Sequence, residues 1–121
     1  MPDLPGQHKR RWRFYHTASG HEPVREFLLQ LTLADRAEIA AAMKEVEVKG
    51  LGSARHVRND IYEVRANGAT QTFRILFATE GRFSQVLLAL ESFSKKTQRT
   101  PIQEITTAEK RLADWRQRGV Q

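Results

Sequence analysis

Apolar and polar positions along this chain follow two rhythms, one of period two and one of period near 3.6. Residues 12–16, Trp12-Arg13-Phe14-Tyr15-His16, alternate aromatic and polar side chains and predict a short first strand. Thr17-Ala18-Ser19-Gly20 is a turn. Pro23 suits the first turn of a helix, and Val24, Phe27, Leu28 and Leu31 then recur on one helical face. In Thr32-Leu33-Ala34-Asp35 a hydroxyl precedes a carboxylate by three residues, a variant of the capping box that opens a second helix. Its stripe is Ile39, Met43 and Val46, with Met43 as core filler, and Gly50 is a natural stop. Residues 51–60 read as a connecting loop that carries Arg55, His56 and Arg58.

The rhythm then returns to two. Ile61-Tyr62-Glu63-Val64-Arg65-Ala66 reads as a strand, and Asn67-Gly68 signals a hairpin that Ala69-Thr70 can lengthen. Residues 72–78 form the next strand, Glu80-Gly81-Arg82 a second turn, and residues 85–94 a third strand around the apolar run Val86-Leu87-Leu88-Ala89-Leu90. Thr100-Pro101-Ile102-Gln103 combines a hydroxyl cap, Pro at the first helical position and Gln three residues after the cap. Ile102, Ile105, Ala108, Leu112 and Trp115 keep one side of that last helix apolar, and Gly119 ends it. The order β-α-α-β-β-β-α predicts an α+β fold. It has an antiparallel sheet of about four strands, two N-terminal helices and a C-terminal helix.

A chain of 121 residues is expected to form one domain, 1–121, with residues 1–8 as a flexible leader. No cysteine is present, which excludes a disulfide framework and a thiolate metal site. No apolar run reaches the ~18 residues of a membrane span, and the N-terminus lacks the apolar core of a secretion signal. The expectation is a soluble, cytoplasmic protein without a membrane partner.

Charge changes the picture more. The net charge is +6, and it is uneven. Residues 1–16 carry four cations against one anion, and residues 91–121 carry seven against four. Residues 55–83 carry five against three, whereas the helical stretch 21–49 carries four against six. A basic strand region and tail point to a polyanion, nucleic acid first. The acidic stretch Glu22 to Lys49 is the side left for protein partners.

Strand alternation places these cations. Phe73, Ile75 and Phe77 form an apolar face, so Arg74 points to the other side, and Arg65 shares a face with Ile61 and Glu63. Arg65 and Arg74 are therefore expected on one face, beside the corner Phe93-Ser94-Lys95-Lys96-Thr97-Gln98-Arg99-Thr100-Pro101. An ion pair of Arg65 with Glu63 or Glu91 fits the same pattern. No Gly-rich phosphate loop is present, His8, His16, His21 and His56 lack metal-ligand spacing, and Ser92 and Ser94 lack a histidine partner. No cofactor and no metal is expected.

In order and spacing, Ile61-Tyr62-Glu63-Val64-Arg65, Phe73-Arg74-Ile75-Leu76-Phe77, the apolar run and the Lys95-Lys96-Thr97-Gln98-Arg99-Thr100-Pro101 string resemble the phage-derived, HigB-like branch of the RelE/ParE toxin superfamily. The similarity runs from about residue 12 to residue 115. It implies the toxin of a type II toxin–antitoxin pair, an endoribonuclease that cuts mRNA on the ribosome. The partners it implies are a small helix-turn-helix antitoxin, mRNA and the ribosome, with operator DNA reached only through the antitoxin. The basic residues it implies are Arg65, Arg74, Lys95 and Lys96 as the catalytic set and Arg99 on the RNA, and Arg58, His56 and Arg55 of the basic loop are expected to bind RNA beside them. The expected reaction needs no metal and no protein nucleophile, because the RNA 2′-hydroxyl attacks the adjacent phosphate. A gyrase-inhibiting toxin on the same fold and a non-toxic nucleic-acid-binding module are the alternatives.

Overall fold

The computed structural model describes residues 9–95 and 100–120, the side chain of Lys95 excepted. The expected leader, residues 1–8, lies outside them, as do Lys96 and Arg99. The elements run β1 (Arg11–Phe14), α1 (Pro23–Leu29), α2 (Leu33–Lys49), a 3-10 turn (Leu51–Ser53), β2 (Arg55–Arg58), β3 (Ile61–Asn67), β4 (Thr72–Glu80), β5 (Val86–Lys95) and α3 (Ile102–Arg118). One sheet of order β1-β5-β4-β3-β2 carries all five strands. β1 pairs parallel with β5 and every other neighbour is antiparallel. The fold is α+β as the pattern predicts, with one strand more.

The extra strand is β2, inside the predicted loop. Arg-His-Val-Arg lacks an apolar alternation because β2 is an edge with polar side chains, a usual way to blunt an edge. The Asn59-Asp60 step between β2 and β3 holds Asn59 at φ 50, a conformation Asn tolerates well.

Helices cover both sheet faces. On one, Val24 of α1 and Ile39, Met43 and Val46 of α2 pack on Val64, Ala66, Phe73, Ile75, Phe77, Leu87 and Ala89. On the other, Ile105, Ala108, Leu112 and Trp115 of α3 pack on Ile61, Leu76, Ala78, Leu88 and Leu90. Residues 75–78 of β4 and 86–90 of β5 therefore read as continuous apolar runs, since both of their faces are buried. Thr32 caps α2 as expected, its hydroxyl accepting from the Asp35 N–H at 3.1 Å, and Gly50 ends it at φ 85. Gly119 ends α3 in the left-handed region.

Two details of α3 depart from the sequence reading. Its stripe starts at Ile105, because Ile102 is 71% exposed. Thr100 is not its cap. Pro101 holds that position without a side-chain hydrogen bond, and the Thr100 hydroxyl turns inward to Glu63 instead. A bulge in β5 opposite Leu76 and Phe77 takes the Leu90 carbonyl out of simple register. Arg111 of α3 donates to that carbonyl at 2.8 Å and to Glu91 at 3.1 Å, which ties helix to sheet. No helix among the described residues is long and apolar enough to cross a membrane.

Candidate functional site

The site grows from strand register. β3 and β4 pair so that Arg65 lies directly opposite Arg74, and β2 and β3 pair so that Arg55 lies opposite Glu63. Directly paired residues share a face, and so do residues two apart on one strand. Arg55, Glu63, Arg65 and Arg74 thus project together on the α3 side, near the end of the sheet where β5 leads towards α3.

Glu63 organises them. Arg65 Nε donates to Glu63 Oε1 at 2.6 Å, and Arg74 Nη1 is 3.9 Å from Glu63 Oε2. The Thr100 hydroxyl donates to that second oxygen and accepts from Arg74 Nη1 at 3.3 Å. Glu63 and Arg74 are each 1% exposed. Burial pushes the Arg74 pKa down, Glu63 opposes that shift, and the charges of Arg65 and Arg55 add to it. Arg74 nonetheless stays a cation, since arginine holds its proton in proteins. The Arg65 side chain keeps 31% of its surface, and Arg55 is exposed. Arg65 and Arg74 share one carboxylate and Arg55 lies opposite it on β2, so these four residues carry three cations to one anion.

The structure does not gather every residue that the sequence singles out. Lys95 closes β5 opposite Thr72, two positions from the Arg74–Phe93 pair. His56 pairs with Tyr62 on the other sheet face, ring to ring at 5.1 Å, with its Nε2 2.6 Å from the Asn59 carbonyl. It is therefore separated from the arginines by the sheet. Arg58 is held by Glu109 of α3, at 2.5 Å from Nη2 and 3.3 Å from Nε. That contact, with a second from Asn59 at 2.7 Å, holds the Glu109 carboxyl below its ordinary range. Arg58 thus serves first as a tie between β2 and α3.

Two residues of the site escape the sequence reading. Glu63 is visible there only as a possible partner of Arg65, although alternation already puts it on the same face. Thr100 is hidden behind a helix-start signature that describes the chain around it correctly but not its hydroxyl. Among the described residues no group of three or more His, Asp or Glu could hold a metal ion.

A phage-derived, Gp49-like protein family (DUF891) matches residues 26–113. The chain is also 35% identical over 109 residues to a protein named probable endoribonuclease HigB1 in Mycobacterium tuberculosis strain CDC 1551 / Oshkosh. The aligned part covers 87% of this chain and 84% of that protein, and the strain ATCC 25618 / H37Rv protein of the same name matches equally.

Proposed function

The chain belongs to the phage-derived, Gp49-like family, and from that premise we propose that it is the toxin of a type II toxin–antitoxin pair, an endoribonuclease that cuts mRNA on the ribosome and stops translation. The observation that carries this reading is the convergence of Arg55, Arg65 and Arg74 around one buried carboxylate. Such an excess of fixed guanidinium charge suits a phosphodiester whose negative charge grows during reaction.

The RNA supplies its own nucleophile. Its 2′-oxygen bonds to phosphorus while the bond from phosphorus to the 5′-oxygen breaks, leaving a cyclic phosphate and a 5′-hydroxyl. Arg65, the half-exposed member, meets the phosphate oxygens with its fork. Arg74 lies behind it and adds a charge that water screens little, because it is buried. Lys95 or Lys96, acting as a neutral amine, takes the 2′-hydroxyl proton, and water gives a proton to the departing 5′-oxygen. Arg99 and Arg55 hold the flanking RNA, and no step needs a metal. The toxin works in the cytoplasm, and a small helix-turn-helix antitoxin restrains it and carries the pair to operator DNA.

Arg65 is the residue to change, since its side chain keeps 31% of its surface and can meet RNA, whereas Arg74 is buried. Induced wild-type protein is expected to arrest growth and produce codon-phased cuts in mRNA by primer extension. Arg65→Ala is expected to lower cleavage by about 100-fold, as loss of one charge-stabilising donor does. Growth arrest with DNA damage and intact mRNA would replace this reading with gyrase inhibition, and normal growth would leave a plain binding module.

A further inference from the structure

A second basic site lies at the opposite end of the same sheet face. Arg11 and Arg13, two apart on edge strand β1, pair with Val86 and Leu88 of β5. Leu88 belongs to the cluster under α3, so both arginines project on the α3 side. They border a hollow of about 250 Å³ whose other walls include Glu80, Gln85, Val86 and Trp115.

The charges around this hollow are unequal in their commitments. Glu80 is neutralised by Arg116, which donates to it from Nε at 3.1 Å and from Nη2 at 2.9 Å. Arg118 is held by Asp114 at 2.9 Å, and Arg111 by Glu91 at 3.1 Å. The side chains of Arg11 and Arg13 have no hydrogen bond or ion pair among the described residues; Arg11 is exposed and Arg13 half-buried. Arg13 instead lies over the Trp115 ring, 5.0 Å from its centroid. Trp115 is braced from behind by His16 edge-on at 5.0 Å and is 3% exposed, so it is a fixed support. The hollow thus presents a planar cation stacked on an indole, with a second uncommitted guanidinium beside it.

We propose that this hollow is a second RNA-binding site, which takes one unpaired base against the Arg13 guanidinium and its phosphate on Arg11. A flat cation backed by an aromatic ring is a stacking platform for any base, and an arginine fork matches a phosphate. A nucleotide uses both features, whereas an acidic peptide would use only the charge. Glu80 and Arg74 are six positions apart on β4, so the two basic sites are about 20 Å from each other, at opposite ends of the face that α3 covers. One strand of RNA held at the reaction site can therefore be anchored a second time. The inference rests on the reading that the polyanionic partner is RNA, but it concerns binding and not cleavage.

The test uses the full chain and a fluorescent single-stranded RNA of about 10 nucleotides, within the length one such binding surface covers. Every 2′-hydroxyl of the probe is methylated, so it cannot be cut. Anisotropy titrations at several salt concentrations compare the wild type with Arg11→Ala and with Arg11→Ala/Arg13→Ala. The double variant is expected to bind about tenfold more weakly, and its salt slope to fall by roughly 0.7 for the lost phosphate contact. Arg11→Ala alone, at an exposed position, is expected to give the same loss of slope. Unchanged affinity and slope in both variants would overturn the proposal. So would tighter binding of a poly-glutamate peptide that depends on Arg11 and Arg13, which would assign the hollow to an acidic protein segment. A wild-type protein that leaves cellular mRNA uncut would sink the ribonuclease reading while leaving these titrations to stand or fall alone.

Discussion

Arg65 and Arg74 face each other directly across β3 and β4, two guanidiniums on one side of a sheet. Like charges directly opposite repel in a ladder. What holds them there is Glu63, at 2.6 Å from one and 3.9 Å from the other. The arrangement has the form of a site kept charged at the expense of stability, with a buried anion limiting the cost.

Glu63→Gln should therefore harm stability more than its near-identical shape suggests. The amide keeps the volume but removes the carboxylate charge that faces buried Arg74 at 3.9 Å. Breaking a buried pair on one side typically costs about 3–5 kcal/mol. Urea denaturation at pH 7 is expected to show a loss of that order. A loss under about 1 kcal/mol would mean that Glu63 does not balance the arginines.

Thr100 joins the first turn region of α3 to the same pair through one hydroxyl. Thr100→Val keeps the shape and removes the hydroxyl, whereas Thr100→Ser keeps the hydroxyl. Valine is expected to cost about 1–3 kcal/mol, since it leaves buried polar partners unsatisfied. Cleavage should fall with it by about tenfold in kcat, with little change in KM, because Thr100 orients Arg74 and does not itself meet RNA. Serine should restore most of both. Equal activity in the two variants would separate Thr100 from the site.

Much of this was legible in the residues, and the misses have physical causes. Period-two alternation put Arg65 and Arg74 on one face because Phe73, Ile75 and Phe77 claim the other without ambiguity. The same method missed β2, since an edge strand buries too little to need an apolar rhythm. The Asn59-Asp60 step was the available signal for it. His56 was grouped with Arg55 and Arg58 by adjacency, yet alternation along β2 turns it to the other face beside Tyr62. Thr100 shows the limit of local signatures, because a cap and a long-range partner compete for one hydroxyl and only tertiary structure decides.

The Asn67-Gly68 signal was right about the turn for a different reason. Neither residue has positive φ, and the loop closes through the Gly68 N–H on the Gln71 carbonyl at 2.8 Å. Gly68 is needed for space. A Cβ there would sit 2.5 Å from the Phe73 ring and 2.6 Å from the Asp35 carboxylate. Phe73 is 1% exposed and has little room to move. Gly68→Ala is expected to cost about 1–3 kcal/mol as overpacking. A thermal melt equal to wild type would show that the hairpin yields instead.

The last expectation concerns acid. The Glu109 carboxyl lies below its ordinary range, chiefly because Arg58 and then Asn59 donate to it, and the Asp114 carboxyl is lowered through Arg118 and then Tyr15. A depressed carboxylate pKa means that the folded state binds its proton later than the unfolded chain does. Its stabilising contribution is therefore complete above the ordinary carboxylate value of about 4.3, and it is lost as pH falls through the folded-state value. Glu109→Gln removes that contribution at every pH. At pH 7 the variant should be less stable by roughly 0.5–1 kcal/mol, since water screens a contact this open, and added salt should narrow the gap. As pH falls below about 4.3 the two unfolding curves should converge. A constant gap over that fall would mean that the tie between β2 and α3 does not depend on the charge of Glu109.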